Sequence, residues 1–316
     1  LYDGVGGTNS SLDIRGFGEA SKSNSLILVN GIRLNDIDMS NVNLSYIPID
    51  SIERIEIIRG GSAGTLYGSG VIGGAVNIVT KNENIQNRTE FSIGSYGKLG
   101  ADFSLSNSFG EKGVISFSGS GFKSDTFRDA GDYSDENFVL NIKNTIDQTK
   151  FNLDIFSSYR EQDLPGPRVK GGAVYNYHFC NRYEDSKTAK HIGGSFAANG
   201  DTCNTDQRDD YSNLENERVN LSIVQEIDSL KTIFMNIGYK KKNDKAFLAA
   251  NGNTNETPNN GDRYLNTTID GNIYNGRYEV RSIDEKYTNI LNFGFDHTHS
   301  FFDSNRHRKE DEQVGQ

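Results

Sequence analysis

The 316-residue chain carries 33 Lys+Arg against 43 Asp+Glu, a net charge of −10. That balance excludes a general binder of nucleic-acid phosphates, which needs a basic face. Only 34% of residues are apolar, and no run approaches the ~18 residues of a transmembrane helix. Fifteen Tyr and 18 Phe argue against disorder, and 34 Gly with four Pro fit short strands separated by many turns. A transmembrane β-barrel also fits, because there only alternate residues need be apolar.

The chain begins at Leu1 with no charged n-region ahead of an apolar stretch, and it closes on a hydrophilic tail, SNRHRKEDEQVGQ. We expect it to be an internal piece of a longer protein. Residues 1–81 hold short apolar runs, SLILVNGIRL (25–34), IERIEII (52–58) and AVNIVT (75–80), separated by Gly and Ser clusters. They read as a small, compact, mixed α/β domain. NENIQN (82–87) is polar and reads as a linker.

Gly68-Ser69-Gly70-Val71-Ile72-Gly73 matches the G-x-G-x-x-G pattern of a dinucleotide cradle. That reading requires a helix to follow, with its N-terminus on the pyrophosphate. The β-branched AVNIVTK follows instead, so a strand is expected and no nucleotide site. The glycines then serve a tight turn with close backbone approach. Arg15 in LDIRGFG and Arg59 after IERIEII stand beside apolar segments, so each is expected to meet a carboxylate. Glu53 and Glu56 are local candidates.

From residue 88 onward the pattern alternates with period two. Examples are Phe103 and Leu105 against Asp102 and Ser104, Leu153 and Ile155 against Asn152 and Asp154, and Met235, Ile237 and Tyr239 against Asn236, Gly238 and Lys240. Such alternation lines one face of a sheet. We count about nine strands. Short turns at 109–113, 147–150 and 228–231 alternate with long polar connections at 124–136, 161–213 and 243–275. Short turns at one end and long loops at the other are the layout of an outer-membrane barrel. The competing reading is a soluble β-sandwich.

The run DIRGFG, then LILVNGIRLND, then IPIDSIERIEIIRGGSAGTLYGSGVIGGAVNIVTK resembles the plug domain of TonB-dependent outer-membrane receptors. The resemblance covers residues 12–81, with several separate motifs in order. It implies a mostly β protein with a small mixed plug, residues 1–81, inside an antiparallel barrel of 22 strands when complete. Residues 88–316 would be the first strands of that barrel. It also implies a Gram-negative outer membrane, lipid contact, a monomer, and energy drawn from TonB and its inner-membrane complex through a segment outside this chain. The family's two plug arginines latch onto barrel glutamates. Those positions are Arg15 and Arg59 here, with partners expected beyond residue 316.

The resemblance implies uptake of a ferric siderophore or, alternatively, of cobalamin. A signalling receptor or a structural barrel is a reading of another class. An enzyme is not expected, because no Ser-His-Asp set or poised carboxylate pair stands out. The plug loops at 18–24 and 35–45 are expected to reach toward substrate, through Glu19, Ser21, Lys22, Asn24, Asp36, Asp38 and Asn41. In the longest connection Arg168, Tyr175, Tyr177 and Arg182 mix positive charge with aromatics, which suits an anionic iron chelate. Cys180 and Cys203 lie in the same connection, and an oxidising compartment favours a disulfide between them. A zinc site built from them with His178 and His191 lacks paired spacing. Asp125, Asp129, Asp132 and Asp135 read as one acidic loop with a possible role in holding Ca²⁺, which cobalamin receptors of this family use. No other cofactor is expected. His297 and His299 share one face and read as a rim position.

Overall fold

The computed structural model describes residues 12–40, 42, 44, 47, 51–59, 64, 67, 70–80, 86–125, 132–163, 211–248, 263–283 and 287–308. They form two sheets. The smaller has four strands: β1 (Ser25–Val29), β2 (Ile32–Arg33), β3 (Ile52–Ile58) and β4 (Gly74–Thr80), in the order β2-β1-β4-β3. β1 and β4 run parallel, and the two outer pairings are antiparallel. β1 is preceded by a 3₁₀ turn, Gly18–Ala20, and one turn of helix, α1 (Ser21–Asn24).

Local chemistry explains the small sheet. Asn30 and Gly31 both have positive φ, 50° and 81°. This is the two-residue turn that Asn-Gly favours, because the backbone twist then matches that of the flanking strands. Every residue of β1 is buried, as expected for a central strand covered on both faces. On one face Leu26 and Leu28 pack with Val71 and Ala75. On the other, Ile27 and Val29 join Leu34, Ile47, Val76 and Ile78, together with Val139 and Phe156 of the larger sheet.

The larger sheet holds nine strands in sequence order: β5 (Arg88–Ile93), β6 (Leu99–Phe109), β7 (Gly113–Ser124), β8 (Tyr133–Ile146), β9 (Thr149–Asp163), β10 (Tyr211–Asp228), β11 (Lys231–Leu248), β12 (Arg263–Ile283) and β13 (Thr288–Arg308). Every neighbouring pair is antiparallel. The short turns fall at 110–112, 147–148 and 229–230, as the alternation predicts. The strands are longer than the alternation predicts. β10 begins at Tyr211 and β12 at Arg263, so the long connections shrink to 125–132, 164–210 and 249–262. The reason is that polar pairs such as Glu217 opposite Lys241 continue the ladder where no apolar signal marks it. Asp135, expected in a loop, consequently lies in β8.

The two faces of this sheet differ. Facing the small sheet are buried polar side chains, including Asp135, Asn137, Lys143, Asp154, Arg160, Arg218, Lys240 and Lys242. The opposite face carries exposed apolar residues such as Phe117, Phe138, Val219, Ile237, Phe293 and Phe295. Polar inward and apolar outward inverts the arrangement of a soluble sandwich and matches a wall set in lipid. The outward apolar stripe on β10 and β11 runs from Ile223 and Ile233 to Val219 and Tyr239, and then gives way to Glu217 and Lys241. A strand crosses a membrane in about 9–11 residues. Strands of 18 to 21 residues, as in β10 to β13, therefore project well past an apolar band. His297 and His299 are exposed near the edge of this band; the His297 ring lies 6.3 Å from that of Tyr274. No described helix is long and apolar enough to cross a membrane.

Candidate functional site

The glycine-rich turn closes tightly on the small sheet. The Gly73 N–H donates to the Asn24 carbonyl at 2.8 Å. A Cβ on Gly73 would sit 2.9 Å from that same oxygen. Gly74 has φ of +129°, and a Cβ there would lie 2.7 Å from the Ile58 carbonyl. Both positions need the absence of a side chain, one for space and one for space and backbone angle together. β4 follows directly, so the strand reading of AVNIVT holds.

The DIRGFG motif is organised by Asp13. Its Oδ1 accepts from the N–H groups of Arg15, Gly16 and Phe17 at 3.1, 2.8 and 3.0 Å. Its Oδ2 accepts from Gly18 N–H at 2.8 Å. The Gly18 bond is the largest influence holding the Asp13 carboxyl below its ordinary range, and the other three bonds add to it against the cost of burial. Gly16 and Gly18 both have positive φ, which lets successive N–H groups converge on one carboxylate. The sequence marked Arg15 in this motif, and its neighbour Asp13 is the residue that shapes the loop.

Asparagines stitch the small sheet. Asn35 Oδ1 accepts from Ile27 N–H at 2.8 Å, and its Nδ2 donates to the Ser25 carbonyl at 3.1 Å. Asn77 accepts from Gly31 N–H at 2.9 Å and donates to Glu56 at 2.9 Å. Asn30 bonds both N–H and hydroxyl of Thr80. Arg54 pairs with Glu53 and Glu56 at 2.6 and 2.9 Å. Glu53 and Glu56, the local carboxylates considered for Arg15 and Arg59, both pair with Arg54. Arg15 and Arg59 are exposed among the described residues.

The seam between the two sheets is built from charge. Asp36 and Asp38 follow β2. Lys240 and Lys242 are two apart on β11 and so share its inner face, and Arg218 of β10 stands directly opposite Lys240. Lys240 Nζ lies 2.8 Å from Asp36 Oδ1, and Lys242 Nζ lies 2.7 Å from Asp38 Oδ2 and 3.8 Å from Asp36 Oδ2. Arg218 Nη2 is 3.4 Å from Asp36 Oδ1 and donates to the Leu34 carbonyl at 2.9 Å. Lys242 also donates to the Ser40 hydroxyl. The side chains of Asp36, Arg218, Lys240 and Lys242 are 8, 5, 5 and 7% exposed. Burial works to raise the Asp38 carboxyl, but the hydrogen bond and charge of Lys242, aided by Ser40, outweigh it and hold the group below its ordinary range. A second contact lies lower on the wall, where Lys143 Nζ donates to Thr80 Oγ1 at 3.1 Å.

The other expected site residues are placed as follows. Ser21 is fully buried, Lys22 is half-buried, and Asn24 donates its amide to the Ala20 carbonyl at 2.8 Å. Glu19 falls within the 3₁₀ turn. Asp125 caps the β5–β6 turn, donating its N–H to the Tyr96 carbonyl at 2.8 Å. The Asp132 carbonyl accepts from Asp163 N–H at 2.8 Å. Asp135 points inward and accepts from the Tyr133 hydroxyl at 2.9 Å and from Asn137. The structure thus leads Asp135 away from the loop that Asp125 and Asp132 flank. Among the described residues no group of three or more His, Cys, Asp or Glu is placed to hold a metal ion. Asn41, Asp129, Arg168, Tyr175, Tyr177, Cys180, Arg182 and Cys203 lie outside the described residues.

A small mixed sheet pinned by buried charge against the polar face of an antiparallel wall defines a plugged barrel. Comparison with known proteins agrees. Residues 2–75 match the model of the TonB-dependent Receptor Plug Domain family. The vitamin B12 transporter BtuB of Vibrio vulnificus (strain CMCP6) is 34% identical over 115 residues, 36% of this chain and 18% of the transporter. The unliganded ferric citrate transporter FecA has a similar structure, with a TM-score of 0.66 at 14% identity, over 98% of this chain and 44% of FecA. The siderophore receptor PiuA from Acinetobacter baumannii superposes with a TM-score of 0.61 at 16% identity, over 96% of this chain and 42% of PiuA. Residues 2–75 thus match the plug domain of TonB-dependent receptors, and the two sheets together have the fold of a plug with part of its barrel wall. The chain spans less than half the length of these relatives.

Proposed function

We propose that this chain is part of a receptor that carries a scarce nutrient across the outer membrane of a Gram-negative bacterium, driven by TonB, with a ferric siderophore as its ligand. The observation that carries this reading is the buried charge seam joining Asp36 and Asp38 to Arg218, Lys240 and Lys242. A lumen filled by a plug sheet cannot conduct passively, so passage requires the plug to move and therefore work to be done on it. Relatives named as ferric citrate and siderophore receptors support an iron chelate as the load. The plug loops, with Glu19, Lys22, Asn24 and Asn41, and the basic aromatic connection holding Arg168, Tyr175, Tyr177 and Arg182 are the proposed contacts; Ser21, fully buried, is not among them. Arg15 and Arg59 are proposed to latch to wall strands outside this chain, and Cys180 to Cys203 to brace the longest connection.

Cobalamin is the second reading, favoured by the 34% identity to a vitamin B12 transporter. In that case Asp125, Asp129 and Asp132 are the proposed calcium loop. Calorimetric titration of the full-length receptor in detergent, with ferric siderophores and with cobalamin, separates the two. Tight, calcium-independent binding of a ferric chelate supports the first. Calcium-dependent cobalamin binding replaces it with the second, and binding of neither removes the uptake reading.

A further inference from the structure

Two rulers of equal spacing meet at the seam. On the wall, Lys240 and Lys242 stand at successive inward positions of β11, with Arg218 beside Lys240 on β10. On the plug, Asp36 and Asp38 are also two apart. Three cations on rigid, hydrogen-bonded strands are thereby presented as a row, each at most 7% exposed. The anions that fill the row come from an irregular segment, 34–40, which contains the positive-φ Met39 and two exposed apolar side chains, Ile37 and Met39, at 50 and 60%. The wall partner lies on hydrogen-bonded strands, and the plug partner lies on a segment outside any strand. Arg218 is held further by the Arg33 and Leu34 carbonyls at 3.4 and 2.9 Å, and its Nε is buried without a hydrogen-bond partner. Asp244, the next inward residue on β11, lies beside the row and feels the charge of Lys242 first and of Arg160 of β9 second.

We propose that Arg218, Lys240 and Lys242 form an anion-binding ladder on the barrel wall, occupied by Asp36 and Asp38 while the plug is seated, and that a ligand bearing several carboxylates competes for it. The physical reason is symmetry of cost. Withdrawing the loop strands three desolvated cations, which is severely unfavourable. An incoming polycarboxylate offers the ladder the same charge-assisted hydrogen bonds that the loop withdraws. Ligand occupancy and loop release are then linked, each favouring the other by the same factor. The inference rests on the uptake reading for its physiological ligand; the chemistry of the ladder itself does not.

The test uses citrate, a tricarboxylate, with the full-length receptor in detergent at low salt. Replacing both carboxylates (Asp36→Asn with Asp38→Asn) empties the ladder while keeping side-chain size. We expect this variant to bind citrate at least about tenfold more tightly than the unaltered receptor, with affinity falling as salt rises. Adding Lys240→Gln and Lys242→Gln should abolish the gain. Equal citrate affinity with and without the aspartates, or a gain that survives loss of the lysines, overturns the proposal. A second measurement does not depend on those variants folding. A nitroxide on Met39→Cys, outside the ion pairs, should gain mobility when citrate is added and not when glycerol is added; no difference between the two overturns the proposal. If no ferric chelate or cobalamin binds the unaltered receptor, the uptake reading fails while these citrate results stand.

Discussion

Asp13 shows how much one side chain does at the residue scale. Four backbone N–H groups in a row converge on its carboxylate, and no other described group satisfies them. Asp13→Ala should leave segment 13–18 without its organising anion. Amide exchange there should quicken while β1 and β4 stay protected, as hydrogen–deuterium exchange of the full-length receptor can check. Gly74 makes a harder demand, because its φ of +129° and the Ile58 carbonyl, 2.7 Å from a would-be Cβ, both exclude a side chain. Gly74→Ala should cost the plug on the order of 1–3 kcal/mol, read from denaturant unfolding. Asp38 adds a pH dependence. Its folded carboxyl is held below the ordinary range, so the pairing with Lys242 contributes above the unfolded pKa of about 4 and is lost as pH falls through the lower folded value. Plug stability should drop on acidification through that window, and Asp38→Asn should flatten the drop.

At the scale of elements, the seam joins a loop to two strands, and its energetics are those of a buried ion pair. Removing one partner leaves an uncompensated charge, so Lys242→Met should destabilise plug docking by about 3–5 kcal/mol. Replacing both partners, Asp38→Leu with Lys242→Met, should recover much of that loss, because apolar pairs of similar volume are well tolerated in such places. Thermal unfolding of both variants checks the pair. If the single and double variants melt alike, the seam contributes nothing through charge. The apolar half of the interface is as important: Val139 and Phe156 of the wall complete the core of Ile27, Val29, Val76 and Ile78. Phe156→Ala should cost about 3–5 kcal/mol by the same measurement.

At the scale of the molecule, the two sheets are one folding problem. The plug's main apolar cluster includes wall residues, so a plug expressed alone, residues 1–81, would present Val29, Val76 and Ile78 without Val139 and Phe156. It should give poorly dispersed NMR spectra and no cooperative melt, whereas a well-dispersed spectrum would show that the wall adds only location. The wall in turn turns its polar face inward, where a lumen filled by the plug supplies hydrogen bonds that lipid cannot.

Much of this was legible in the sequence. Period-two alternation announced nine wall strands, because the side-chain period of a strand is fixed by backbone geometry and needs no partner to be seen. AVNIVT excluded the nucleotide cradle for an equally local reason. The plug motifs gave the family, which the match over residues 2–75 bears out. Strand ends were not legible, since Glu217 opposite Lys241 extends a ladder without an apolar signal. Nor was the direction in which Asp135 faces, because β8 begins back at Tyr133 and turns an expected loop carboxylate into an inward one. The seam was beyond reach for a different reason. Asp36 meets Arg218 and Lys240 across 182 and 204 residues of chain, and nothing local distinguishes a buried Lys240 from a solvated one. By itself the sequence determined what repeats along the chain: strands, turns, and the glycines that turns require. Only the tertiary structure decided which charges face each other, because pairing across an interface depends on register and docking.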